Sequence, residues 1–102
     1  MLEIRPNCEH CDKDLAPDAT DAMICSYECT FCADCVDSVL ENVCPNCGGG
    51  FVPRPVRPTT EWRTGVSRDK QQPSDRRVLK PVDAHAHKAY AQTIKTIPPE
   101  KR

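Results

Sequence analysis

The chain has 102 residues, 38% of them hydrophobic and 5% aromatic, with ten prolines and four glycines. That allows one small domain with attached segments and argues against a second domain or a self-contained enzyme cleft, whose walls need extensive apolar surface. The formal net charge of −1 hides a bipolar distribution: residues 1–53 carry ten acidic and two basic side chains, whereas residues 54–102 carry twelve basic and five acidic ones.

The opening Met1-Leu2-Glu3-Ile4-Arg5-Pro6 carries charge and no apolar run, so no signal peptide is expected. No stretch approaches the roughly 18 apolar residues of a membrane span. A cytoplasmic chain with reduced thiols is therefore expected, and its eight cysteines, all between Cys8 and Cys47, read as metal ligands rather than disulfides.

Three Cys-x2-Cys pairs, Cys8/Cys11, Cys32/Cys35 and Cys44/Cys47, are joined by a looser pair, Cys25/Cys29. A Cys-x2-Cys turn brings two thiolates to one metal, and two turns complete a tetrahedral four-sulfur site, the closed geometry of structural zinc. Eight sulfurs make two such sites, so the expected cofactor is two Zn²⁺. A closed site leaves no position for an activated water, and no phosphate loop, histidine set or free cysteine suggests catalysis; the chain is expected not to be an enzyme. His10, inside the first pair, reads as a knuckle residue and not a ligand. An iron–sulfur ligand run would need a cysteine after three intervening residues beyond Cys35, whereas eight residues intervene before Cys44.

Between the first two pairs, Pro17 and its acidic neighbours predict a loop anchored by Leu15. Met23–Tyr27 reads as a short strand that pairs with Thr30-Phe31 through a tight turn at Glu28-Cys29. Val36, Val39, Leu40 and Val43 recur with helical spacing and predict a two-turn helix; with Phe31 and Ile24 they form the expected core. Gly48-Gly49-Gly50 permits a tight fold after the last knuckle, and Phe51-Val52 is expected to return to the core. A head over residues 1–53 is too small to be stable on burial alone, so metal-dependent folding is expected.

Beyond the head, the run Pro53-Arg54-Pro55-Val56-Arg57-Pro58 leads into polar, charged sequence as far as Lys80, which predicts a basic, disordered linker over residues 54–82. Over residues 83–97 an amphipathic helix is predicted, capped by Asp83, with Ala86, Tyr90, Ile94 and Ile97 on one face; Pro98-Pro99 ends it, and 98–102 is expected to be disordered. That face is the expected contact for an unidentified protein partner. His85-Ala86-His87 reads as chance neighbours, since positions i and i+2 diverge on a helix.

The order Cys8-x2-Cys11-x13-Cys25-x3-Cys29-x2-Cys32-x2-Cys35-x8-Cys44-x2-Cys47 resembles the cross-brace pattern of RING domains. The centre Cys29-Thr30-Phe31-Cys32-Ala33-Asp34-Cys35-Val36 and the knuckle Cys44-Pro45-Asn46-Cys47 carry the likeness, with Cys29 standing where a histidine is usual. The head also resembles a small bacterial family of uncharacterised cysteine-rich proteins, through Met1 to Asp14 and Cys44 to Pro58. The RING likeness implies a small zinc-stabilised α+β fold of treble-clef type, with a short hairpin and one short helix. It also implies one zinc on Cys8, Cys11, Cys32 and Cys35 and the other on Cys25, Cys29, Cys44 and Cys47. A serial arrangement, Cys8/Cys11/Cys25/Cys29 followed by Cys32/Cys35/Cys44/Cys47 as in LIM-like modules, is the alternative; a helix directly after Cys35 favours the cross-brace.

Ubiquitin-ligase activity is the function that a RING likeness brings to mind. Its usual contact positions fall here on Glu9, on an aliphatic helix without Trp, and on Gly48, with only Pro45 fitting, which argues against it. Nucleic-acid association through Arg54, Arg57, Arg63, Arg68, Arg76, Arg77 and Lys80, with Trp62 to stack, is a further alternative. Against it, two Zn²⁺ held by eight thiolates would bring the head to about −12. A zinc-binding adaptor for protein–protein interaction is the expected function.

Overall fold

The computed structural model describes residues 1–102. Its sheet is built on the shortest sequence separation available. Strands β1 (Ala22–Ile24) and β2 (Thr30–Cys32) pair antiparallel, Ala22 opposite Cys32 and Ile24 opposite Thr30. The turn between them is closed by Cys25 N–H to Cys29 O (3.2 Å) and Glu28 N–H to Cys25 O (3.0 Å), with Glu28 at φ 66°. A two-residue strand, β3 (Val52–Pro53), adds to the other edge of β1, giving the order β2-β1-β3. Pro53 cannot donate to a ladder, and an edge is where it is tolerated.

Directly after β2 the chain turns into α1 (Ala33–Cys35), which widens into a π-helical turn over Val36–Leu40. The expected two-turn helix stops there because Glu41 (φ 53°) and Asn42 (φ 57°) adopt the left-handed conformation and return their N–H groups to Val36 O. Val36, Leu40 and Val43 are buried, Val39 partly. They close the core with Leu15, Ala22, Phe31 and Phe51, the two phenyl rings meeting edge to face at 5.4 Å. Val52, expected inside, is 60% exposed: strand alternation sends Phe51 inward and Val52 out.

The tail departs from expectation. A disordered linker over 54–82 is not what the structure shows; the segment is laid along the head by hydrogen bonds to its backbone and to buried polar side chains. Arg54, 5% exposed, donates to the carbonyls of Arg5 and Ala16, and Arg57 to those of Leu2 and Gln71. Ser74 N–H reaches Glu3 O, Lys80 N–H reaches Glu9 O, and Asn7 bonds Val78 in both directions. These bonds replace the apolar burial that the segment's composition lacks.

Helix α2 (Ala84–Ile94) starts where Asp83 accepts from Ala86 N–H at 2.9 Å, and is shorter than the expected 83–97. The face it docks on the head lies beside the one expected to meet a partner. His87 and Ala91 are buried against the π-helical turn, while Tyr90 is 45% and Ile97 40% exposed. The alanines and the buried histidine let the helix approach closely, which the bulkier Tyr90 face would not. Pro99–Lys101 forms a 3₁₀ turn, and Arg102 donates to Asn42 O and Gly48 O, so residues 98–102 also pack on the head. No helix is long and apolar enough to cross a membrane.

Candidate metal centre

The first and last cysteine pairs sit on turns of the same construction. Asp12 N–H donates to Cys8 O and Cys8 N–H to Lys13 O, both at 2.9 Å; Gly48 N–H donates to Cys44 O and Cys44 N–H to Gly49 O, both at 2.8 Å. The residue after each second cysteine, Asp12 at φ 63° and Gly48 at φ 76°, is left-handed, which lets the chain double back and point both sulfurs one way.

Two links carry the first knuckle to the end of β2. Glu9 N–H donates to Thr30 O (2.9 Å), and the Glu9 carboxylate accepts from Thr30 N–H and from Arg5 (2.8 Å). Glu9 is only 5% exposed, so its charge is held by that guanidinium. Burial alone would lower the Arg5 pKa; its bonds to Glu9 and Glu3 outweigh this and raise it. Sequence reasoning saw Glu9 only as a misfit for partner docking, whereas here it fastens the first knuckle to the sheet.

The consequence is that Cys8, Cys11, Cys32 and Cys35 converge, all four sulfurs lying within 4.8 Å of one another. Cys25, Cys44 and Cys47 form a second group within the same limit. Cys29, the fourth ligand expected there, lies against Cys25 and Cys44 but outside that group of three. All eight are free thiols. The serial grouping is not the one formed: Cys8/Cys11 meets Cys32/Cys35, not Cys25/Cys29.

The donor sets fit a tetrahedral thiolate metal. Bonds of about 2.3 Å from zinc to sulfur place the sulfurs of a tetrahedron about 3.8 Å apart. Cys11 Sγ and Cys32 Sγ are 3.9 Å apart. Around the second group, N–H donors point at sulfur: Tyr27 at Cys25 (3.3 Å), Asn46 at Cys44 and Gly49 at Cys47 (both 3.4 Å). Such donors neutralise part of a thiolate's charge, the outer-shell support that metal sites need.

The thiols' acidities show the same frustration. Burial and the neighbouring Cys25 push Cys29 up to about 11. Burial, then the surrounding sulfurs, raises Cys35 as well, and burial with nearby Cys25 and Cys29 raises Cys44. At Cys25, the N–H groups of Tyr27 and Cys29 overcome the effect of burial and lower the pKa; at Cys11 the Lys13 N–H does so with its sulfur neighbours. Packed thiols of this kind ionise together only around a cation.

The histidines are engaged elsewhere. His10 Nδ1 accepts from Val82 N–H at 2.9 Å, pinning the tail to the first knuckle. His87, 4% exposed, places Nε2 2.9 Å from Leu40 O; since a carbonyl only accepts, Nε2 carries the proton. His85 is exposed on another face of α2. Neither these roles nor those of Asn7 and Arg54 had a local signal in the sequence, because each partner lies 38–72 residues away.

The family model described as "Protein of unknown function (DUF1272)" matches residues 1–57. An uncharacterised protein of Rhizobium meliloti (strain 1021) is 56% identical over 81 residues, covering 79% of this chain and 89% of its own length. No solved structure matches the chain significantly.

Proposed function

The chain belongs to the DUF1272 family, and because that description assigns no activity we infer one from the geometry: a two-zinc binding module of RING-like cross-brace type that serves as a protein–protein adaptor. One zinc is held by Cys8, Cys11, Cys32 and Cys35, the other by Cys25, Cys29, Cys44 and Cys47. The observation that carries the reading is the convergence of the first pair on the third, and of Cys25 on the fourth. Sulfurs within 4.8 Å of one another favour a single ion at each site over a cluster of several irons.

The zinc supplies structure here, as four thiolates leave no open position for a reacting group. The chain's own residues orient the sulfurs and screen them from water. The adaptor role draws support from what the tail does to the competing readings. Arg54, Arg57 and Arg77 are engaged with head carbonyls or with Asp12 and Asp14, leaving fewer cations for phosphates. The groove beside Pro45, where the RING likeness would seat a conjugating enzyme, is lined by Val82, His87 and Tyr90 of the same chain.

Native mass spectrometry of the purified chain with elemental analysis tests the reading. Two zinc ions per chain, lost together with folding on chelation, are expected. Iron with inorganic sulfide, or a metal-free chain with four disulfides, would overturn it.

A further inference from the structure

The largest cleft in the molecule, about 550 Å³, lies between the second metal group and the tail segment 76–82. Its tail wall is an extended stretch whose N–H groups at Val78, Lys80 and Val82 bond back to Asn7, Glu9 and His10. Alternation along an extended chain then sends Arg76, Val78, Lys80 and Val82 toward the cleft, cation and apolar side chain in turn. Arg77, out of this register, faces Asp12 and Asp14 instead.

The opposite wall sets Tyr27, 68% exposed, the buried Phe31 and Pro45 beside Arg5, Glu9 and Asn46. Neither Arg76 nor Lys80 takes part in any of the ion pairs of the molecule. The one carboxylate in the cleft, Glu9, is already neutralised by Arg5. Two free cations four residues apart, with the apolar Val78 midway between them and Tyr27 across the cleft, therefore offer an unmatched positive charge pattern. The spacing between them is about 13 Å along an extended chain.

We propose that this cleft binds a short, extended acidic peptide of a partner protein, with two carboxylates four residues apart and an apolar side chain midway between them. The carboxylates pair with Arg76 and Lys80, and the apolar residue packs on Tyr27 and Val78. A polyanion fits less well. It presents charge without the interleaved apolar group, and residues 1–53, with ten acids against two bases, repel its continuation past the cleft. The proposal rests on the adaptor reading and names the class of partner.

The test uses the zinc-loaded full chain and a fluorescein-labelled pentapeptide Glu-Ser-Leu-Ser-Glu, whose glutamates and leucine share one face when extended, read by anisotropy. Its comparators are a lysine–leucine counterpart, pentaglutamate, and an oligothymidylate of equal charge. The glutamate–leucine peptide should bind in preference to all three. The double variant Arg76→Ala/Lys80→Ala should weaken it about tenfold. Tyr27→Ala, which keeps the backbone N–H that faces Cys25, should weaken it while leaving zinc content unchanged. Tighter oligothymidylate binding, indifference to the double variant, or no binding at about millimolar peptide overturns the cleft proposal. A zinc count other than two overturns the module reading whatever the peptide does; an intact two-zinc chain that ignores the peptide overturns the cleft alone.

Discussion

Replacing His87 by alanine should undock helix α2 and leave the metal-bound head folded. The imidazole is 4% exposed and its Nε2–H donates to Leu40 O at 2.9 Å. Losing that bond removes about 1 kcal/mol, softened because Val43 N–H also donates to the same carbonyl. Emptying the ring's site removes about 1 kcal/mol more in packing. Alanine returns about 0.5 kcal/mol through its higher helix propensity. The net loss of about 1.5 kcal/mol lowers the docked-to-undocked ratio about tenfold. An eleven-residue helix is marginal on its own, so undocking and unwinding coincide. Hydrogen exchange of the zinc-loaded chain should show about tenfold less protection across Ala84–Ile94, with Ala22–Cys32 unchanged. His85→Ala is the control, since it gains the same propensity at an exposed position. If the two variants exchange alike, the buried histidine does not hold the tail and the reasoning fails.

Other perturbations test the head and its close contacts. Cys44→Ser, at a fully buried thiol of the second group, should abolish folding of the head, because a structural zinc contributes an apparent ~10–16 kcal/mol and a core this small cannot replace it; retained circular dichroism and two zinc ions would contradict this. Gly50→Ala would place a Cβ 2.9 Å from the Pro99 ring, so the 3₁₀ turn should be displaced and the Arg102 contacts to Asn42 and Gly48 lost, visible as changed amide shifts at those residues while the zinc content stays at two. Arg54→Ala leaves the carbonyls of Arg5 and Ala16 without their side-chain donor beneath a 5% exposed site, and should lower stability by about 2–3 kcal/mol in a denaturant titration of the zinc-loaded chain.

What could be read from the sequence was whatever is decided locally. Sulfur spacing announces a metal because two thiolates three positions apart meet on one turn whatever surrounds them. The hairpin of β1 and β2 and the burial of Val36, Leu40 and Val43 likewise follow from neighbours a few residues away. Which pairs share a site is not local, and the spacing left cross-brace and serial groupings open; the Glu9–Thr30 link, 21 residues apart, decides it. Cys29 is the residue where expectation and geometry agree least, since it borders Cys25 and Cys44 without joining their group of three. The tail was misread for a related reason. Its composition predicts disorder because it has little apolar area to bury, but composition does not register that Asn7, His10 and Arg54 hold it by hydrogen bonds across 38–72 residues. On α2 the role of His87 had no local signal, since its value lies in a carbonyl 47 residues away.

Under the two-zinc reading proposed above, the positions of these anchors make tail order and metal binding a single linked equilibrium. Asn7 and His10 belong to the first knuckle, Leu40 and Asn42 to the turn leading into the last, and Gly48 to the last knuckle itself. Every one of them is presented by backbone that the metal sites shape. The linkage is reciprocal, but the free energies of the two events it joins differ greatly. Undocking the tail breaks a handful of hydrogen bonds worth about 1 kcal/mol each, and touches no sulfur. Removing the metal abolishes the knuckle geometry to which the tail is fastened. Metal loss should therefore release the tail, whereas tail release should only weaken metal binding, by no more than those few bonds contribute. The charge balance points the same way, since ions held by deprotonated thiols make the head more negative and so more attractive to the twelve bases of residues 54–102. Added salt should weaken that attraction while leaving the hydrogen-bonded anchors in place. Tail protection that falls on chelation but survives high salt would mark the anchors, and not the charge, as what holds the tail.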